Sequence, residues 1–208
     1  MSRQLPRGNL LSTVFDETSY TESRVWDLPT RLFHWMLVAT VTVGWFLGDN
    51  MSFSSIQWHF YLGYATGGLI VFRLIWGIVG PPHARLSALF PKPSEVLGYV
   101  SGILERQPSG VAGHNPLGAL AVLALLSTLC VQVVTGLFSE SDDFFSEGPL
   151  SFLANNAVVR LCNLVHEISS TVLLVLVGLH ISALLFYLVW KRENLIKPMI
   201  TGLKTVRR

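Results

Sequence analysis

Four long apolar runs constrain this chain more than any other feature of its sequence. The third run contains no charged residue from Leu117 to Phe138. As a helix rising 1.5 Å per residue it extends ~33 Å, which is enough to cross the hydrocarbon core of a bilayer. The four runs cover about Leu32–Leu47, Ile56–Val79, Pro116–Phe138 and Val165–Trp190. The sequence therefore predicts an all-α fold, an integral membrane four-helix bundle.

Composition excludes the main classes of soluble protein. Half of the 208 residues are hydrophobic and only 13% are charged, whereas soluble domains carry roughly 25% charged residues. A nucleic-acid-binding protein needs a strongly basic surface, which a formal net charge of +2 does not supply. We therefore expect the lipid bilayer, and no nucleic acid, among the partners of this chain.

Lysine and arginine lie almost entirely on one side of the predicted spans, and cytoplasmic loops are the ones that retain these residues. That side carries Arg3, Arg7, Arg24, Arg31, Arg85, Lys92, Arg106, Lys191, Arg192, Lys197, Lys204, Arg207 and Arg208. The opposite side carries one basic residue, Arg160, and five acidic ones: Asp49, Glu140, Asp142, Asp143 and Glu147. We expect both termini to be cytoplasmic.

The spans divide the chain into three parts. Residues 1–31 are predicted as a cytoplasmic N-terminal segment, 32–190 as the transmembrane domain and 191–208 as a basic cytoplasmic tail. The first apolar run starts only near Leu32, behind a polar stretch too long for the charged region of a signal peptide, so we expect it to remain as an anchor.

A short interfacial helix is predicted between spans two and three. Prolines break the chain after span two, and residues 94–105 then read as an amphipathic helix on the cytoplasmic membrane surface. Its apolar positions, expected to point inward, are Val96, Leu97, Val100, Ile103 and Leu104.

Four of the six histidines lie at two matched depths. His34 and His180 fall at the predicted cytoplasmic level, and His59 and His166 at the outer level. His166 and His180 are 14 residues apart, which is a rise of ~21 Å and a rotation about 40° short of four full turns, so both leave one helix face. We expect His34 to pair with His180, and His59 with His166.

Each pair is predicted to clamp one haem iron. Two imidazoles on one iron give a low-spin centre that transfers electrons, and polar residues inside a membrane usually mark function. The chain has no Cys-x-x-Cys-His motif, so we expect two non-covalent haems b per chain rather than haem c. Zinc is a weaker alternative, because a structural zinc site needs four close ligands. A single histidine at a helix end is more often an interfacial residue.

Two arginines and one His-Asn pair are further candidates at the cytoplasmic level. Arg31 and Arg73 are placed to pair with haem propionates, although Arg31 also suits a topology anchor and Arg73 a side chain that reaches the interface. His114 and Asn115 precede Pro116, so Asn115 is the expected N-cap of span three. Their functional interpretation is a hydrogen bond to quinone or to a haem propionate; the alternative is helix capping alone.

Several motifs together resemble the bacterial di-haem cytochrome b superfamily. They are Arg24–Trp35, Phe72–Gly80, His114–Ala119, and His166 with His180. That superfamily includes the bacterial cytochromes b561, the b-type subunit of nickel-iron hydrogenases and the gamma subunit of formate dehydrogenases. The resemblance implies that spans one, two and four ligate two b haems and that span three ligates none. It also implies a bacterial inner-membrane protein that exchanges electrons between quinone, often near the cytoplasmic haem, and a partner at the outer face.

The acidic outer loop favours a cationic partner. Carboxylates at Glu140, Asp142, Asp143 and Glu147 attract a positive surface such as that around the haem edge of a soluble cytochrome c. We therefore predict transmembrane electron transfer between membrane quinone and a periplasmic redox partner. The alternatives are an oxidoreductase between quinone and superoxide or another small molecule, a b-type membrane anchor of a hydrogenase or dehydrogenase, and a haem-free assembly or metal-transport subunit.

Overall fold

The computed structural model describes residues 20–50, 52, 55–140 and 147–207 of the chain. Four helices in this part are long and apolar enough to cross a membrane: α1 (Leu28–Asp49), α2 (Ile56–Val79), α4 (Pro116–Phe138) and α5 (Asn156–Val189). The shorter elements are the strands β1 (Tyr20–Arg24) and β2 (Leu203–Arg207), the helices α3 (Pro93–Ser101) and α6 (Ile196–Thr201), and 3-10 turns at Pro82–Ala84, Leu86–Leu89 and Ser151–Leu153. The predicted helical membrane bundle is confirmed.

The limits of α2 and α4 are those that the sequence predicts, because strong local signals mark them. The side-chain oxygen of Asn115 accepts a hydrogen bond from the backbone N–H of Gly118 at 2.8 Å, which confirms Asn115 as the N-cap of α4. Pro116 follows at the first helical position, where a missing N–H costs nothing. Gly80 and Pro81 end α2.

The fourth span begins at Asn156, nine residues before the predicted Val165. Asn155 caps it by accepting from the backbone N–H groups of Ala157 and Val158 at 3.0 Å. The added turns contain polar residues, so hydropathy alone does not identify them. A 34-residue helix is ~51 Å long, well beyond a hydrocarbon core of ~30 Å. The first turns of α5 therefore project from the bundle.

Helix pairs α1–α2 and α4–α5 form the bundle, and α2 also packs on α4. At mid-height Ile70, Leu129 and Leu173 are buried together. Leu173 is seven residues from both His166 and His180, so this apolar layer separates the two histidine levels. Elsewhere most large apolar side chains are exposed on the outside of the bundle, as a lipid-facing surface requires.

A two-stranded antiparallel sheet covers one end of the bundle. Strand β1 pairs with β2, and the backbone N–H groups of Val25 and Trp26 donate to the carbonyl of Gly202. Gly202 has a φ of 83°, and a Cβ there would lie 2.6 Å from the carbonyl oxygen of Trp26. We call this end, where α1 and α4 begin and α2 and α5 end, the sheet end; the other is the far end. The sequence analysis did not predict this sheet.

Helix α3 is the short helix expected between spans two and three, although it ends at Ser101 instead of residue 105. Gly102 follows it, and glycine favours helix termination. The expected inward direction of its whole apolar set is wrong: Leu97 and Leu104 are 73% and 71% exposed. The bundle meets α3 through other positions, so these two leucines stay on its outer side.

Candidate functional site

The far end brings His59 and His166 together. His59 lies in the first turn of α2 and His166 in the third turn of α5. Their ring centroids are 6.3 Å apart and their planes are inclined by 77°. Two imidazoles bound to one metal ion have ring centres separated by two metal–nitrogen bonds of ~2 Å and by the distance from each nitrogen to its ring centre. The sum is close to the centroid separation of His59 and His166. The pair therefore has the spacing of two imidazoles on one metal ion.

Each of these rings is held through Nδ1. Nδ1 of His59 lies 2.8 Å from the carbonyl oxygen of Gly44, and Nδ1 of His166 lies 3.0 Å from that of Gln132. A ring N–H that donates to a carbonyl fixes the tautomer and the ring orientation, and it leaves the Nε2 lone pair for a metal. The ring of His59 is thus arranged to coordinate through Nε2, and that of His166 can do so when the amide nitrogen of Gln132, 3.0 Å from its Nε2, turns aside.

Glycines leave the space that these two rings occupy. A Cβ at Gly48 would lie 2.9 Å from Cε1 of His59, and one at Gly136 would lie 3.0 Å from Cε1 of His166. Both separations are shorter than ordinary van der Waals contact. Any larger residue at either position must displace the imidazole beside it.

We expect Gly48→Ala to weaken haem binding at the far end. Overpacking costs ~1–3 kcal/mol, which corresponds to a 5- to 150-fold loss of affinity. The measurement is haem loss to apomyoglobin, followed by absorbance. Gly68→Ala is the matched control, because a Cβ there meets no atom within 4 Å. Equal haem retention in the two variants would contradict the close packing of Gly48 on His59.

Gln132 adds a polar contact that the sequence analysis missed. Its amide nitrogen is 3.0 Å from Nε2 of His166, and its side-chain oxygen accepts from the hydroxyl of Ser169. The hydroxyl of Thr135 lies 3.2 Å from Nδ1 of His166. A carboxamide within an apolar span requires such partners. Gln132 is the only carboxamide between Pro116 and Phe138, and this was the signal available in the sequence.

The sheet end contains the other predicted iron ligands. Charge on His180 acts on His34, so the second predicted pair lies at one end of the bundle. His114, just before α4, packs on Trp26 with ring centroids 4.7 Å apart. Three histidines from three parts of the chain therefore share this end of the bundle.

Positive charge surrounds His114. Burial lowers the pKa of His114 to about 4, and the charges of Arg73 and Lys204 and the neighbouring histidines act in the same direction. His114 is consequently neutral near pH 7, with one ring nitrogen that accepts a hydrogen bond and one that donates. Lys204 is paired with Glu193 at 3.1 Å, so Arg73 is the cation beside His114 that suits an anionic group such as a carboxylate.

Three buried polar side-chain atoms have no hydrogen-bond partner in the described part of the chain, and all three belong to predicted site residues. They are Nε of Arg31, Nδ1 of His34 and Nδ1 of His114. Such atoms are rare, because each costs ~1–3 kcal/mol when it is left unpaired. Their concentration at the sheet end fits a polar, anionic ligand, and the residues present here fit a haem with its two propionates.

The two predicted arginines differ in their surroundings. Arg73 is only 4% exposed and donates to the carbonyl of Ala84 at 2.8 Å. The alternative in which Arg73 reaches the interface is therefore wrong, because its guanidinium lies inside the protein. Arg31 donates to the carbonyl of Ile200, which ties α1 to α6. The charge of Arg73 acts on His114, whereas the guanidinium of Arg31 lies beside Gly202.

A cleft of about 600 Å³ opens beside His114. Helix α3, the turn before it and the start of α4 form its walls. Most of the lining is apolar, and the polar groups include Glu95, Tyr99 and His114. Ligand sites commonly have this size and this mixture of groups. Glu95 and Tyr99 were not among the predicted site residues, because periodicity does not reveal which face of α3 meets α4.

The acidic outer loop is described only at its two ends. Glu140 and Glu147 form an antiparallel bridge, and the side chain of Asn163 pairs with the backbone of Glu140, at 3.1 Å to its N–H and 2.9 Å to its carbonyl. Asp142 and Asp143 lie outside the described residues. Two of the four predicted acidic positions are therefore held against the projecting part of α5.

A family model described as prokaryotic cytochrome b561 matches residues 25–202. The chain belongs to this family. The match covers all four membrane helices and both histidine pairs. The b561 assignment makes the chain a multi-pass protein of the bacterial inner membrane that carries b-type haem.

Relatives of this b561 protein include subunits of hydrogenases. It is 31% identical to the "Probable Ni/Fe-hydrogenase B-type cytochrome subunit" of Azotobacter vinelandii over 151 residues, which is 60% of each chain. It is 26% identical to the subunit of the same name from Bradyrhizobium diazoefficiens, over 88% of this chain and 86% of that one. With the "Probable Ni/Fe-hydrogenase 1 B-type cytochrome subunit" of Escherichia coli the identity is 25%, over 62% of this chain and 66% of that subunit.

Proposed function

We propose that this b561 protein holds two haems b and exchanges electrons between quinone at the sheet end and a redox protein at the far end. His59 and His166 would hold the iron of one haem, and His34 and His180 would hold that of the other. Haem b bound at each pair supplies an iron that accepts and releases one electron without an open coordination position. The observation that carries the proposal is the group of three unpaired buried atoms at the sheet end.

The chain's own residues orient the iron ligands. Carbonyls of Gly44 and Gln132 hold the Nδ1 groups at the far end, which fixes the orientation of both rings. At the sheet end, Arg31 and Arg73 neutralise propionate charge, since a buried carboxylate needs a charged hydrogen-bond partner. The apolar layer around Leu173 keeps water from entering between the two levels.

The cleft beside His114 is the proposed quinone site. Its size and apolar lining suit a substituted ring, and its polar groups suit the two carbonyl oxygens of a quinone. Reduction of a quinone to a quinol takes two electrons and two protons. The electrons would come one at a time from a haem held by the sheet-end histidines, and the cleft's position beside α3 would give protons a short route from the cytoplasm.

The partner at the far end is proposed to be a membrane-associated redox enzyme. The relatives named as hydrogenase subunits support this class. The acidic residues Glu140 and Glu147 and the projecting turns of α5 offer a surface for its docking. A soluble cationic cytochrome c is the second candidate, and the net negative charge of the outer loop favours it.

A haem count tests the proposal. We expect a pyridine haemochrome assay on the detergent-purified chain to give about two b haems per polypeptide. Duroquinol, a soluble quinol, is expected to reduce both, with sharp low-spin bands in the reduced-minus-oxidised spectrum. A single haem per chain would contradict one of the histidine pairs, and failure of duroquinol to reduce either haem would contradict the quinone site.

A further inference from the structure

One hydrogen-bond chain leads from the cap of α4 to the wall of the cleft. The side-chain nitrogen of Asn115 lies 2.9 Å from the hydroxyl of Tyr187, and the hydroxyls of Tyr187 and Tyr99 are hydrogen-bonded to each other. Tyr99 lines the cleft. The chain therefore connects α4, α5 and α3 and ends at the proposed quinone site.

The direction of this hydrogen-bond chain follows from Asn115. Its side-chain oxygen accepts from the backbone N–H of Gly118 at 2.8 Å. Because a backbone N–H can only donate, the oxygen must face Gly118 and the NH₂ group must face Tyr187. Asn115 is consequently a donor to the Tyr187 oxygen. The positions of its amide nitrogen and oxygen cannot be exchanged without losing the hydrogen bond from the Gly118 N–H.

The proton of Tyr187 then points to Tyr99. Tyr187 is buried, and in the described part of the chain its hydroxyl contacts no acceptor other than the hydroxyl of Tyr99. A buried O–H without an acceptor is costly, so Tyr187 donates to Tyr99. The hydroxyl oxygen of Tyr99 accepts this hydrogen bond. The hydroxyl proton of Tyr99 is then available to an acceptor other than Tyr187. Burial also raises the pKa of Tyr99, so this proton is retained at physiological pH.

We infer that Tyr99 is the hydrogen-bond donor to one carbonyl oxygen of the quinone, and that Asn115 and Tyr187 are positioning residues that fix its direction. This inference rests on the proposed function, because it takes the cleft as the quinone site. A quinone ring needs a donor at each carbonyl, and Tyr99 supplies one of the two. His114, on the same cleft, is placed to serve the other.

Asn115→Asp tests the direction of the chain. Aspartate is as good an N-cap as asparagine and is stabilised at a helix N-terminus, so α4 keeps its start. A carboxylate only accepts, however, which makes Tyr187 donate to Asp and Tyr99 donate to Tyr187. Tyr99 then has no proton to donate to the quinone, although the Tyr99 and Tyr187 side chains themselves are unchanged.

The readout is fluorescence quenching of heptyl-hydroxyquinoline N-oxide, a quinone analogue, together with KM and kcat for haem reduction by duroquinol. Tyr99→Phe and Asn115→Asp are each expected to weaken binding by about 5- to 30-fold, with the change in KM rather than in kcat. The double variant should be no weaker than Tyr99→Phe alone, because both changes remove the same donor. Tyr61→Phe, an exposed tyrosine on α2, is the control.

Gly98→Leu separates this inference from the proposed function. Gly98 lines the cleft, and a Cβ there meets no atom within 4 Å, so a leucine side chain can start there without a clash and is expected to occupy cleft volume. If Gly98→Leu leaves binding unchanged, the cleft is not the quinone site and both proposals fail. If Gly98→Leu abolishes binding while Tyr99→Phe does not weaken it, only the role of Tyr99 is wrong. A loss in Tyr99→Phe without one in Asn115→Asp overturns the inferred direction.

Discussion

Replacing His166 by alanine is expected to lower the haem content from about two per chain to about one. His166 supplies one of the two far-end imidazoles, whose rings lie 6.3 Å apart, so its loss removes one of the two proposed iron ligands and the attachment of α5 to the far-end haem. The sheet-end pair lies ~21 Å away along α5, on the other side of the buried layer at Leu173. Its haem should therefore remain and should still be reduced by duroquinol.

Haemochrome assays and low-temperature reduced-minus-oxidised spectra measure this result. His83→Ala is the control for a histidine change, because His83 lies in the turn after α2, outside both pairs. Loss of both haems with an intact helical circular dichroism spectrum would contradict the independence of the two sites. Loss of quinol reduction alone, with two haems retained, would show that His166 belongs to the quinone site instead.

Replacing His34 by alanine is expected to slow electron transfer from quinol to the far-end haem. The change removes an imidazole at the sheet end, beside His180 and next to the proposed quinone cleft. The far-end haem should persist, since its ligands His59 and His166 are untouched. Its reduction by duroquinol should nevertheless slow by about 10²-fold or more, because the cleft lies at the opposite level of the bundle.

Dithionite provides the matched measurement for this variant. It reaches the far end from solution and should reduce the remaining haem fully, which shows that the haem is present and active. Stopped-flow absorbance then compares the two reductants on the same sample. Reduction by duroquinol at the wild-type rate in His34→Ala would place the quinone site at the far end and contradict the sheet-end cleft.

The different results expected for His166→Ala and His34→Ala follow from the positions of the histidines along the helices. The sequence was sufficient to predict which histidines lie at the same depth. His166 and His180 are 14 residues apart, and helix geometry alone puts them on one face at two depths. The apolar runs likewise predicted the limits of α2 and α4, because prolines and the Asn115 cap give local signals. Local rules of this kind depend only on neighbouring residues.

Other features depend on which segments meet in space. Helix α5 starts at Asn156 because Asn155 caps it, well before the apolar run begins. A hydropathy profile does not detect a capping residue. The pairing of β1 with β2 joins residues about 180 positions apart along the chain, and no local pattern encodes such a contact. The contact of Gln132 with His166 similarly requires that α4 pack on α5.

Hydropathy and helical periodicity act over one or a few turns, so they predict the membrane bundle and the depths of the four histidines, and the resemblance of several short motifs indicated the family. The surroundings of the histidines could be found only from the packing of the helices. This packing shows that Arg73 is buried instead of reaching the interface, and it brings Tyr99, Tyr187 and Asn115 into one directed hydrogen-bond chain. Such an arrangement depends on how three helices pack, and each helix alone presents these polar groups without a partner.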